Sequence, residues 1–415
     1  MWTHLDLDYL SGLSTVAMVL QRSKGMPLSL HCEAWTALRH SVCKTELRRA
    51  REIDFSVDSY ALITLRGLLQ DSAAPALVRC KVESSSLEIQ APVIFEKQHP
   101  MLQDLTLINC RMAYAPGNYT GLHRLEIQCT IEPDLTYPDD ECLIEVFKQC
   151  PDLEEIVLYG CAVHPELTKP YVGHVHDVVR LPKLRTMDLR LRTSNIHAIT
   201  SSIKPASEVS LSITAYTSPR TPEQDLIVSE SSPLMSVALA RAKAVAIDGR
   251  TSKMHAFTDT CFRDQLMQIH LDYQHPHNVF DVLLRPTIAM MSGLERIQLR
   301  GLEDNVTICV LRAFPGLKTL DLCMDDAGVP AVNGLLHLQA ETETGLHSAL
   351  STLSVTDAFL DEFFCMVLVG LRSALPELRN LVLRQCSIDR PVDAVLSSLQ
   401  AFDKVEWLKE VAAMP

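Results

Sequence analysis

The chain of 415 residues has no C-x-x-C pair, no apolar run long enough to span a bilayer, and none of the short patterns that mark common catalytic or nucleotide sites. Its thirteen cysteines are an odd number scattered singly, which argues for reduced thiols and against a disulfide framework or a zinc module. The longest apolar runs, VAMVL at 16–20 and CMVLVGL at 365–371, fall far short of a membrane span. The opening MWTHLDLDYLSG lacks the basic start and apolar stretch of a secretory signal. A soluble protein of the cytoplasm or nucleus is the expectation, with no membrane partner and with the sequons at Asn118 and Asn305 unglycosylated.

G-x-S-x-G, G-x-G-x-x-G, G-x-x-x-x-G-K-[ST] and H-E-x-x-H are all missing, so the chain is expected to be no enzyme and to need no cofactor. Cys43 and Arg49 have the C-x5-R spacing of a phosphatase loop, but the residues between them include no glycine to let backbone amides cradle an anion, and the stretch reads as helix. His270, Asp272, His275 and His277 in HLDYQHPH, and His174 with His176 in GHVHD, are the only histidine clusters. A metal needs convergent ligands, which a rigid Pro276 between two histidines does not supply, so both read as exposed loops. Lys and Arg number 38 against 51 Asp and Glu, giving a net charge of −13 and a pI near 5.6. Such a surface repels nucleic acid and anionic lipid as a whole, and nucleic-acid binding is not expected.

What is present is a repeat. In LPELRNLVLRQC, residues 375–386, Leu378, Leu381, Leu383 and Cys386 spell L-x-x-L-x-L-x-x-C, the strand signature of a leucine-rich repeat. The frame L-x-x-L-x-L begins also at Leu102, Leu122, Leu153, Leu184, Leu266, Leu294, Leu317 and Leu350, with weaker copies at Ala206 and Ala242, a mean interval of about 28 residues. Amphipathic spacing predicts return helices at Glu141–Lys148, Val279–Met291, Phe359–Ala374 and Val392–Phe402. The expected fold is therefore an α/β leucine-rich-repeat solenoid, a horseshoe with a parallel concave sheet and convex helices. Cys110, Cys161 and Cys386 occupy the Asn/Cys position of the repeat and are expected to be buried.

Residues 1–100 read as looser opening units, with strands at Thr3–Leu7, Leu28–Leu30, Ile53–Val57 and Leu87–Ile89 and helices at Ser14–Arg22, Ala34–Arg48 and Ser59–Leu69. Residues 101–402 hold the repeats, with loop insertions at 217–233 and 332–345. Residues 403–415, with Trp407 and Leu408, are the expected C-terminal cap.

Because the leucines point inward, the residues between them face the concave side. The partner-binding candidates there are Glu155, Tyr159, Arg190, His270, Asp272, Arg296, Arg300 and Arg384. Arg296 and Arg300, either side of Gln298 on one strand, are expected to grip an acidic segment.

The run WTHLDLDYLSGLSTVAMVLQRSKGMPLSL, residues 2–30, places Trp2, Leu5, Leu7, Leu20, Arg22, Ser23, Pro27 and Leu28 in a distinctive order. It resembles the segment that follows the F-box in the F-box/leucine-rich-repeat families of mushroom-forming fungi, and the later repeats fit that family. The resemblance implies a protein-interaction module, the substrate-recognition region of an F-box protein in a cullin-type ubiquitin ligase. In that family the F-box that docks the Skp adaptor precedes the tryptophan, so the adaptor is an expected partner only if an F-box lies upstream of Met1. The alternative is a free-standing acidic scaffold or inhibitor that occupies a basic protein partner.

Overall fold

The computed structural model describes residues 3–9, 13–71, 74–85, 93–94, 99–112, 119–129, 140–160, 178–206, 208–216, 232–272, 287, 290–291, 293–302, 304–324, 349–388 and 390–408. The chain divides into two units, Met1–Val209 and Ser210–Pro415. Both are α/β, built on mostly parallel strands with helices in the returns.

In the first unit the strands are β1 (His4–Asp6), β2 (Leu28–Cys32), β3 (Ala50–Val57), β4 (Arg79–Ser84), β5 (Val93–Ile94), β6 (Asp104–Ile108), β7 (Arg111–Met112), β8 (Arg124–Gln128), β9 (Glu155–Tyr159), β10 (Val179–Leu181), β11 (Thr186–Arg192) and β12 (Ile203–Pro205). Eight of them pair in chain order, β1-β2-β3-β4-β6-β8-β9-β11, every pair parallel. The short strands β5 with β7 and β10 with β12 form two small parallel pairs of their own. Alternation decides the faces: Leu30, Ile53, Phe55, Val82, Leu105, Leu107, Ile127, Ile156, Leu158 and Leu189 are each at most 2% exposed, while their neighbours along each strand are mostly polar. Against this apolar side lie the buried stripes of the return helices, such as Leu62, Leu65 and Leu69 of Ser59–Asp71 and Ile144 and Phe147 of Asp140–Gln149.

The second unit contains β13 (Ser210–Tyr216), β14 (Ala244–Asp248), β15 (Lys253–Phe257), β16 (Gln265–Asp272), β17 (Arg296–Arg300), β18 (Thr319–Cys323), β19 (Thr352–Thr356), β20 (Phe359–Leu360), β21 (Asn380–Arg384), β22 (Ser387–Ile388) and β23 (Lys404–Leu408). Its strand order is β13-β16-β15-β14-β17-β18-β19-β21-β23. β15 is antiparallel to both β14 and β16, so this stretch runs backwards through the sheet before parallel order resumes at β17. The frames at Ala242 and Leu266 are therefore not successive rungs, as uniform stacking would have them. A four-residue link from Asp248 to Lys253 is too short for a parallel crossover, which needs a dozen or more residues, so a hairpin is forced. Asp248 closes its turn by accepting from the amides of Arg250 and Thr251.

A second regularity appears in the backbone. The residue directly after β6, β9, β17, β19 and β21, namely Asn109, Gly160, Gly301, Asp357 and Gln385, has φ between 51° and 64°. Asn109, Gly160, Asp357 and Gln385 each donate their amide to the last paired carbonyl of the next strand, at Gln128, Arg190, Arg384 and Leu408. The left-handed residue turns the chain off the sheet without wasting the ladder hydrogen bond. Cys110 and Cys386 follow one residue later and direct their thiols to the carbonyls of Val82 and Val355 on the preceding strands. Cys110 is buried as expected, but Cys386 is only half-buried, and Cys161 lies outside the described residues.

The predicted helices at Ser14–Arg22, Ala34–Arg48, Ser59–Leu69 and Glu141–Lys148 are present as Leu13–Ser23, Ala37–Glu46 with a 3-10 turn at Leu47–Arg49, Ser59–Asp71 and Asp140–Gln149. Phe359–Ala374 starts later, at Glu362, because Asp361 caps it by accepting from the Phe364 amide and Phe359–Leu360 are drawn into β20. Val392–Phe402 stops at Ser398. Near the expected strand Leu87–Ile89, which falls outside the described residues, the structure has β4, eight residues earlier. Within the expected C-terminal cap, Lys404–Leu408 is a further parallel strand, and residues 409–415 lie outside the described residues. Most of Val279–Met291, the 332–345 insertion and residues 217–231 lie outside the described residues, as do His174, His176, His275 and His277.

Candidate functional site

The polar side of the first unit's sheet is the place where chemistry concentrates. Parallel register sets side chains from neighbouring strands in rows about 5 Å apart. One row runs His4, Ser29, Glu52, Arg79, Asp104, Arg124, Glu155, and the next runs Asp6, His31, Asp54, Lys81, Thr106, Glu126, Val157, Asp188. Glu83, Tyr159 and Arg190 belong to a third. A groove of about 400 Å³ opens on this face, lined from β1 to β8 by His4, Ser29, His31, Glu52, Asp54, Arg79, Lys81, Asp104, Thr106 and Arg124.

Charge along the rows is cross-braced. Arg79 lies 3.3 Å from Glu52 and 2.9 Å from Asp104, so one guanidinium spans the carboxylates of both flanking strands. Arg124 does the same for Glu126 on its own strand and Glu155, 3.1 Å away on the next. Lys81 sits 3.3 Å from Asp54, and a ring nitrogen of His31 lies 3.6 Å from the same carboxylate. At the far end the Tyr159 hydroxyl donates to Asp188 at 2.6 Å, and the Arg190 guanidinium stacks 4.2 Å over the Tyr159 ring while lying 3.6 Å from Asp188. Partial burial, reinforced by the bond to the anionic Asp188, pushes the Tyr159 phenol up to about 12.

Sequence reasoning found Glu155, Tyr159 and Arg190, and the structure brings all three to the end of this face. It missed the groove, whose walls come largely from strands before residue 102, where the leucine frame is loose. The signal was the short alternation in AREIDFSV and RCKVES, where polar and charged residues alternate with apolar ones.

The remaining candidates belong to the second unit. Arg296 is turned onto its own sheet: Nε and Nη2 donate to Asp321, Nη1 donates to the Thr260 carbonyl at 2.8 Å, and the guanidinium stacks 4.7 Å over Phe262. It does not stand ready to clasp an acidic segment beside Arg300, which registers with Asp248 and Cys323. His270 registers with Lys253 and Thr214, and Arg384 with Thr356 and Leu408. Asp272 ends β16, opposite Tyr216 in register. This sheet's inter-leucine positions are partly closed off, with Asp321, Cys323 and Ser354 at most 7% exposed.

Among the described residues Asp6, Asp8 and His31 bring potential metal ligands within 4.8 Å of one another. Asp8 is already committed, to Arg39 at 2.7 Å and to the amides of Glu33 and Ala34, so it staples the loop after β1 to the loop after β2. Cys43 and Arg49 sit on the helix and 3-10 turn, and Arg49 bonds Glu46, Ser23 and the Met26 carbonyl. No helix among the described residues is long and apolar enough to cross a membrane.

No family model matches the chain, and no curated protein does. A solved structure from Bacteroides fragilis is similar at 10% identity, covering 95% of this chain and 81% of its own, with a TM-score of 0.23.

Proposed function

We propose that this protein is a non-enzymatic recognition module that holds another protein against the polar strand face of its first unit. The observation that carries this reading is the groove of about 400 Å³, whose walls come from six adjacent strands and are braced from strand to strand by ion pairs. Rigid strands hold these side chains in fixed rows, so recognition costs little ordering of the receptor.

The resemblance of residues 2–30 to the segment after an F-box supports a place in a cullin-type ubiquitin ligase, with the chain as the target-recognition region and the Skp adaptor a partner only if an F-box is encoded upstream. Function in the cytoplasm or nucleus belongs to the same reading.

The test is site-specific crosslinking in fungal cells, with a benzophenone amino acid placed at Ser29 in the groove or at Glu362 on a return helix. Adducts to a defined protein from Ser29 and none from Glu362 are expected. Equal adducts from both positions would remove the groove from the reading, and co-purification of Skp only with a chain extended upstream of Met1 would assign the ligase role.

A further inference from the structure

Resting on that reading, we propose that the segment held by the first unit's strand face is cationic, a stretch of polypeptide bearing spaced lysines or arginines. Among the described side chains the face carries eight carboxylates, Asp6, Glu52, Asp54, Glu83, Asp104, Glu126, Glu155 and Asp188, against four permanent cations. All four cations are held by those carboxylates: Arg79 by two, Arg124 by two, Lys81 by Asp54 and Arg190 by Asp188. An incoming anion would meet arginines that already have partners and a surplus of negative charge. An incoming cation meets that surplus, and it can share carboxylates that already brace the sheet.

The spacing adds a constraint. In the row Glu52, Arg79, Asp104, Arg124, Glu155 the carboxylates recur on every second strand, about 10 Å apart. The arginines between them are repulsive rungs, so an extended segment, rising about 3.3 Å per residue, fits the row best with a cation at about every third position and small neutral residues between.

Fluorescence anisotropy with two short peptides tests this, one with Lys and one with Glu at every third position and Ser between, at two salt concentrations. The Lys peptide should bind the wild-type chain and the Glu peptide should not. Three isosteric changes in the groove, Glu52→Gln, Asp54→Asn and Asp104→Asn, should weaken the Lys peptide about tenfold or more, whereas Glu362→Gln, Glu377→Gln and Asp393→Asn on the second unit should not. Arg79→Gln, which releases Glu52 and Asp104, should tighten it. Equal loss in the two triple variants would show attraction by overall charge alone and overturn the proposal. Binding of the Glu peptide, lost on Arg79→Gln, would reverse the partner's sign while leaving the recognition reading standing. Each variant's thermal midpoint identifies loss through unfolding, and because the three groove positions are half-exposed, single changes at each remain measurable if the triple variant is unstable.

Discussion

Arg296 and Asp321 meet diagonally across β17 and β18, joined by Nε to Oδ2 at 2.5 Å and Nη2 to Oδ1 at 3.0 Å, with the aspartate side chain 4% exposed. The same guanidinium fastens the loop between β15 and β16 through the Thr260 carbonyl and the Phe262 ring. Phe262 is held at φ 57°, a conformation that a bulky residue keeps only when its surroundings fix it. Arg296→Ala would strand a buried carboxylate and free the loop. Stability should fall by about 3–5 kcal/mol, measured by urea unfolding. An unchanged midpoint would show that the pair contributes no net stability.

The apolar rungs lead to a second expectation. Leu381 and Leu383 are fully buried, as are Leu105, Leu107, Ile156, Leu158 and Leu320, with Leu322 at 2%. Leu381→Ala thins the apolar row it shares in register with Leu353 and Val405 on the strands either side. The cost should be about 2–5 kcal/mol by transfer and cavity terms. Retention of wild-type urea resistance would contradict the core assignment.

These leucines also show why so much of the fold was legible. A period of two inside a frame of L-x-x-L-x-L leaves one way to bury the apolar set, so strand positions and facing followed directly. Strand order did not follow: whether Val245 pairs with Met254's strand or with its successor depends on a four-residue turn that the leucine frame passes over. Nor did the state of Arg296, whose partners lie 25 residues ahead and 36 behind. Residue type identified an arginine on the face, but only tertiary packing decided that it was already spoken for. The groove was obscure for a related reason, since Cys80 and Val82 fill rungs where the leucine frame expects leucine.

The thiols carry a pH-dependent prediction. Burial raises Cys32 to about 11 and Cys110 and Cys150 to about 12, and drives Cys43 and Cys80 upward as well, all from an ordinary value near 9. Cys261 is exposed. Iodoacetamide at pH 8 should therefore label Cys261 first, Cys386 more slowly and Cys110 only on unfolding. A raised thiol value favours the folded state below the unfolded value and loses that contribution as pH climbs through the folded one. Stability should accordingly decline between about pH 9 and 12 as these groups are drawn toward thiolate in the unfolded chain. Fast native labelling of Cys110 at pH 8, read by mass spectrometry, would show that its site opens readily.

The last prediction concerns the turn that ends each rung. Gly160 follows β9 with φ 64°, and a β-carbon built there would lie 2.0 Å from the Cys129 carbonyl oxygen, which is backbone and cannot swing aside. Its amide holds the Arg190 carbonyl at 2.8 Å, so the residue cannot relax without giving up the ladder between β9 and β11. Gly67, inside the helix Ser59–Asp71, has ordinary helical surroundings and nothing within 4 Å of a new β-carbon. The two glycines should respond oppositely to the same change. Gly67→Ala should stabilise by about 0.5–1 kcal/mol, since alanine loses less chain entropy in a helix. Gly160→Ala should cost more than the roughly 1–3 kcal/mol of a strained left-handed residue, because the steric clash adds to it. It should also displace Tyr159, one residue back, and so loosen its bond to Asp188. The phenol titration, followed at the tyrosinate band, should then begin at lower pH in Gly160→Ala than in the wild type, where the group is held up to about 12. A Gly160→Ala protein as stable as wild type, with an unmoved phenol titration, would show that the rung after β9 tolerates a right-handed turn and that the recurring left-handed residue is not what fixes the face.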